Sequence, residues 1–312
     1  MLHRDAGPEG VALLRWVVFG LWFITILGAP PLTLTAGLPP GFFSPPGVLA
    51  LLPEGLWDVL LTPQALAALT VAALALTLAA AVGIGPYAMV GPLAFVGVFL
   101  FDGIQKGQGG FINHAQFGIL YGALLLALSP AGDALTPFRR QPRKKRSSGG
   151  AYRYPLVGLA LLLAVAYSLI GIHRFAMGGL AIFTGDALPI NLALRTFEYR
   201  EFGFEWSVVL LQHAPFVVLL KAGFFVVTLF EVLTPLALIW RRFRWSWLAV
   251  MVPFHLSTLF TMNIFFWENL ILLAVVFTNL PTAVGQKFQG RGEEDHGPII
   301  AAVPGGGPAQ TR

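Results

Sequence analysis

Histidines, arginines and carboxylates embedded in apolar sequence are the residues of this 312-residue chain whose chemistry most needs explaining. His114 and His255 are the candidate catalytic groups, because an imidazole can give or take a proton near neutral pH. Arg174 is a permanent cation suited to hold an anionic or carbonyl group. Asn113, His173, Tyr121 and Asn263 complete the candidate ligand-binding set. Asp102, Lys106, Lys221, Glu231 and Glu268 add charge in similar surroundings, and in hydrocarbon each would need a partner or a purpose. Other chemistries have no foothold. The chain has no cysteine, which removes thiolate nucleophiles and Cys-based metal sites. It also lacks G-x-S-x-G, G-x-x-x-x-G-K-[ST] and H-E-x-x-H. The set His114, His173 and His255 has no metal-ligand spacing, so no metal is expected.

The elements that must position these groups follow from composition. Apolar residues make up 56% of the chain and charged ones 11%, against about 45–50% and about 25% in soluble domains. With a mean hydropathy of +0.74, one water-soluble core cannot bury that surplus. The expected fold is an all-α integral membrane protein with about eight transmembrane helices and outer interfacial or re-entrant segments. Apolar runs long enough to cross a bilayer lie at 11–28, 65–84, 87–104, 112–129, 155–172, 214–240, 245–263 and 264–280. Asn263 and the residues from Ile264 to Glu268 must turn the chain between the last two. Residues 29–63 form a Pro-rich outer segment with a short amphipathic piece at 48–61, and residues 173–213 mix charges with aromatics as interfacial elements do. Residues 1–280 read as one membrane domain, and 281–312 as a disordered cytoplasmic tail.

Lys and Arg are distributed asymmetrically. Arg139, Arg140, Arg143, Lys144, Lys145 and Arg146 share one loop, and Arg241, Arg242 and Arg244 follow the sixth run. This bias places both termini and the basic loop in the cytoplasm, with a plasma-membrane location expected. The lipid bilayer is the expected partner. The +5 charge sits in clusters beside apolar runs, so nucleic acid is not expected.

That topology gathers Asp102, Lys106, Asn113, His114, His173, Arg174, Asn263, Glu268 and His255 toward one outward-facing intramembrane pocket. His114, Gly118, Tyr121 and Gly122 share a helix face by their spacing, and the G-x-x-x-G pair permits close helix approach. His255 and Thr258 share another face. Bland readings stand beside these: helix-packing hydrogen bonds for His114 and His255, a mutual i,i+4 pair for Asp102 and Lys106, and headgroup contact for Arg174. Lys221 and Glu231 lie roughly 15 Å apart along one helix and cannot pair. Arg15 or a histidine is the expected partner of Glu231.

Three segments together resemble the HTTM domain family, the membrane module of vitamin K-dependent gamma-carboxylases and their bacterial relatives. They are Asn113-His114 with Tyr121-Gly122, then Tyr167 to Arg174, then Phe254-His255-Leu256 with Asn263-Ile264-Phe265-Phe266. The resemblance covers most of residues 11–280 in order and spacing. It implies a lysine base that deprotonates reduced vitamin K, supported by the Asn-His histidine. His114 and His255 match, but Arg174 stands where the lysine would. A guanidinium does not release its proton near neutral pH, and the large lumenal domain of the carboxylases is missing, so glutamate carboxylation is not expected.

The leading expectation is therefore a carboxylase-like membrane protein that binds or modifies a lipophilic quinone- or lipid-like molecule, with no cofactor identified. A proton-linked transporter using Glu231 and Lys221, and a non-catalytic scaffold or subunit, are the alternatives.

Overall fold

The computed structural model describes residues 2–3, 6–36, 38, 42–109, 116–136, 149–198, 203 and 206–294. Every regular element among them is helical. In chain order these are α1 (Pro8–Gly28), α2 (Glu54–Leu60), α3 (Pro63–Val82), α4 (Tyr87–Gly109), α5 (Phe117–Ala127), α6 (Gly149–Gly178), α7 (Ala181–Thr184), α8 (Ala187–Glu198), α9 (Trp206–Leu211), α10 (Ala214–Val232), α11 (Thr234–Ile239), α12 (Arg241–Met262), α13 (Trp267–Phe277) and α14 (Leu280–Glu294). Two short 3-10 turns, Leu32–Thr35 and Gly47–Leu51, follow α1.

Local chemistry accounts for the helix ends. Thr62 caps α3 by accepting the Ala65 N–H, and Pro63 starts the helix where its missing N–H costs nothing. Gly83 ends α3 at φ +78, a conformation glycine adopts without strain. A Cβ there would lie 2.9 Å from the Arg15 guanidinium. Asn263 closes α12 at φ +53, so the turn expected between the last two apolar runs falls where the sequence put it. Pro235 restarts the chain as α11 and splits the long sixth run in two.

Five of the eight expected spans are helices long and apolar enough to cross a membrane: α1, α3, α4, α6 and α10. The others differ for identifiable reasons. Only eleven described residues of the fourth are helical, as α5. The seventh, α12, opens on Arg241, Arg242 and Arg244, which lowers its apolarity. The eighth is a pair, α13 and α14, bent by 53° at Thr278 and Asn279. The helix α14 also runs to Glu294, into the stretch whose Gly/Pro content read as disordered, because it packs along α1. A Cβ at Gly10 of α1 would lie 2.5 Å from the Pro281 carbonyl, so this contact is backbone to backbone. The basic residues 139–146 lie outside the described residues.

Two bundles share α6. On one side α1 sits centrally among α3, α5, α13 and α14, with α4 beyond. On the other, α10 and α11 pack on α6 and α12 packs on α10 and α11, with α7 set against α6 and α10 and with α8 and α9 set against α12. In the first bundle Arg15 is fully buried. It donates from Nε to the Ala81 carbonyl (3.1 Å), from Nη1 to Ala131 (2.5 Å) and from Nη2 to Leu135 (2.9 Å). It does not approach Glu231. Helix ends and turns leave carbonyls without intrahelical donors, and those carbonyls satisfy it instead.

The N-terminal residues lock the same bundle. His3 is buried, its N–H donates to Asn279 Oδ1 (2.9 Å) and its Nδ1 lies 3.2 Å from Thr282 Oγ1. Burial pushes its imidazole down to about 4, and a hydrogen bond to the Val276 backbone offsets this only in part.

Candidate functional site

Four residues on one face of α6 organise the second bundle: Tyr167, Ile170, Gly171 and Arg174 recur at helical spacing. Gly171 decides how close the neighbour comes. A Cβ there would lie 2.8 Å from the Val232 amide nitrogen and 3.0 Å from Glu231 Cβ, so only glycine permits this approach of α10. Ser168 fastens the same crossing by donating to the Val232 carbonyl (2.9 Å). One turn further, Arg174 reaches the Glu231 carboxylate and forms an ion pair with it. The guanidinium also lies 4.8 Å over the Phe224 ring, two turns before Glu231 on α10.

A cavity of about 1460 Å3 opens between α6, α8, α10 and α12, with α5 and α13 closing one end. Its walls are mostly aliphatic and aromatic, among them Leu163, Ile170, Leu192, Val227 and Phe254. Two polar pairs interrupt them. Arg174–Glu231 is one. The other is Tyr167 with His255, whose Oη and Nε2 exchange a hydrogen bond at 2.7 Å. His255 is 5% exposed and is held between the rings of Tyr167 and Phe266, each 5.8 Å away edge-on. Trp247 steadies Tyr167 from behind, with centroids 5.7 Å apart. Thr258 lines the same wall, as the shared face with His255 predicts, and donates to the His255 carbonyl (2.8 Å).

Pro253 stands between these residues inside α12. It has no N–H, so the Ala249 carbonyl loses its helical donor, and both residues line the cavity. The arrangement can grip a long apolar body. At one wall it can exchange hydrogen bonds with a small polar head through the phenol–imidazole pair.

The expected pocket is thus brought together in part. His173, Arg174 and His255 line the cavity. Asn113 and His114 lie outside the described residues. Tyr121 is exposed and packs its ring, tilted by 47°, against Phe117 at 4.4 Å instead of reaching the cavity. The two glycines, not the tyrosine, make the close approach on α5: Cβ atoms at Gly118 and Gly122 would lie 2.7 Å from Leu272 and 3.1 Å from Val18. Asn263 does not line the cavity; it is a buried helix cap that donates to the Thr196 carbonyl (3.3 Å). Asp102 and Lys106 pair with each other at 2.7 Å, away from the cavity. Glu268 accepts from Thr25 on α1 (3.4 Å) and likewise lies outside it.

Tyr167 and Glu231 were not among the candidate site residues, yet both line the cavity. The seven-residue spacing from Tyr167 to Arg174, with Gly171 between them, was the available signal for the first. Glu231 had its cost as a buried charge but no local clue to its partner. Comparisons with protein-family models, with curated proteins and with solved structures find no match.

Proposed function

We propose that the chain is an integral membrane protein of HTTM-like type whose cavity binds, and in one wall can exchange protons with, a lipophilic quinone- or lipid-like molecule. The cavity carries this proposal. Its volume, about 1460 Å3, exceeds the roughly 300–1,000 Å3 typical of drug-sized ligands, which suits a long-chain amphiphile. Its lining is mostly apolar, which suits a long tail, and the phenol–imidazole pair gives one wall a place for a small polar head. Five helices of spanning length and apolarity support the membrane location, and the Lys/Arg asymmetry supports cytoplasmic termini.

Arg174 takes a different part from the one its charge first implied. Glu231, 2% exposed, neutralises it, and separating the two would leave a buried carboxylate without its cation. A neutral carbonyl or hydroxyl head therefore fits this wall better than an anion. Tyr167 and His255 meet that head, since either can donate or accept once the imidazole tautomer adjusts. No base replaces the carboxylase lysine at Arg174, so the proposal does not extend to glutamate carboxylation.

Native mass spectrometry of the protein extracted from membranes tests this directly. A lipophilic species, or an added long-chain quinone or alcohol, is expected to remain bound to the wild type. Tyr167→Phe and His255→Gln should each lower occupancy about tenfold, the equivalent of one hydrogen bond of about 1.4 kcal/mol. Unchanged occupancy in both variants, or no bound species of any kind, would overturn the proposal.

A further inference from the structure

The helix α8 presents opposite chemistries to its two sides in an unusual sense. Leu188, Asn191, Leu192 and Arg195 line the cavity. On the outward side Ile190, Leu194 and Phe197 recur at spacings of four and three, and each is more than half exposed. A helix that turned this apolar stripe to water would be poorly placed. Met177 at the end of α6 and Phe216 and Val218 on α10 are exposed apolar residues as well, on two helices of spanning length.

The two ends of α8 are fastened very differently. Near its C-terminal end, Thr196 is 3% exposed. Its hydroxyl lies within hydrogen-bond reach of Ser207 Oγ and of the Thr261 carbonyl (3.3 Å), while its own carbonyl accepts from Asn263 Nδ2 (3.3 Å). That cluster joins α8 to α9 and to the end of α12. At the N-terminal end only Gly185 and Asp186 join α8 to α7, which buried Phe183 docks against Phe175, Phe224 and Phe225. Across that joint the ammonium of Lys221 on α10 lies 3.5 Å from Asp186 and 3.2 Å from the Thr184 carbonyl. The Asp186 side chain is 85% exposed, and pairs this open contribute little.

We propose that α8 is a flap over the cavity, hinged at Thr196 and latched at Lys221–Asp186, whose outward stripe rests on the acyl chains of the surrounding lipid. Opening the latch end lets a long-chain molecule pass sideways from the bilayer between α8 and α10. The flap rests on the proposed lipophilic function, and the test separates the two.

The full chain is placed in phosphatidylcholine nanodiscs with a diazirine-bearing long-chain alcohol as photoreactive probe, and labelling of α6 and α12 is read by mass spectrometry. Because the chain has no cysteine, Asp186→Cys with Lys221→Cys provides two unique thiols for a cleavable bis-maleimide. Closing the linker before adding probe should cut cavity labelling at least tenfold, and cleaving it should restore labelling. Lys221→Ala, which removes the latch without a linker, should raise the labelling rate about twofold or more. A nitroxide at Ile190→Cys should be relaxed more by oxygen than by an aqueous nickel chelate. Labelling indifferent to the linker, an unchanged rate in Lys221→Ala, or preferential nickel access at residue 190 would overturn the flap. Absence of cavity labelling in the unlinked protein would instead overturn the lipophilic function beneath it.

Discussion

Two arginines set among apolar helices face the same difficulty and solve it in opposite ways. Arg15, at the centre of the first bundle, is fully enclosed and spends its donors on backbone carbonyls at the end of α3 and in the turn after α5. Arg174, at the junction of α6 and α10, pairs with a single carboxylate on a cavity wall. The surroundings differ accordingly. The most apolar stretch of α1 is 56% buried within the protein, whereas that of α10 is 17% buried. A guanidinium satisfied by carbonyls from two elements pins those elements together and leaves no space beside it. One satisfied by a lone carboxylate needs only one neighbour, and a cavity can open alongside. The first arginine builds the scaffold; the second furnishes the site.

The comparison is broken most severely at Arg15. Replacing it with Met strands several carbonyls in the interior, and the expected loss is about 3–5 kcal/mol of stability, measured as reversible unfolding in mild detergent. No second substitution should rescue it, because its partners are backbone atoms. Glu231→Gln should cost about 3 kcal/mol by leaving Arg174 unpaired. Here the double variant Arg174→Met with Glu231→Leu should recover most of the loss, since two apolar residues can replace a buried pair. A double-mutant cycle showing no coupling would mean that the two charges are not partners in the folded protein.

A third difference is expected on acidification. The imidazole of His3 is held down at about 4 against 6.5 when free. Between these pH values the released segment binds a proton that the docked one does not, so docking weakens as pH falls from 6.5 toward 4. Up to about 3 kcal/mol is involved over the whole window. Hydrogen exchange at the start of α1 and in α14 should therefore quicken in acid, and His3→Phe should flatten the response. The smallest effect belongs to glycines. Gly171→Ala should cost about 1–3 kcal/mol by forcing α10 away from α6. Gly20→Ala, in α1 with nothing within 4 Å of the added Cβ, should instead stabilise by about 0.5–1 kcal/mol.

Features governed by near neighbours in the chain were legible from the residues alone. The Asp102–Lys106 pair follows from i,i+4 geometry. The Asn263 turn follows from a short polar side chain between two apolar runs, and the close approach at Gly118 and Gly122 follows from small residues four apart. Tyr121 shows the boundary of this logic: its spacing put it on the glycine face, but its ring ends at the exposed edge of α5. The α10–α11 break carried a local mark in Pro235, yet hydropathy alone ran across it.

Sequence alone determined that the regular elements among the described residues are helical and located the five helices apolar enough to span a membrane, because backbone hydrogen bonding and hydropathy act within a few residues. Partners distant in the chain were decided by the tertiary structure alone. Glu231 lies 57 residues from Arg174, Arg15 finds carbonyls 66 and 116 residues away, and Tyr167 meets His255 across 88. Such pairings depend on the angles and offsets at which helices cross, which side-chain shape sets collectively and no local pattern encodes.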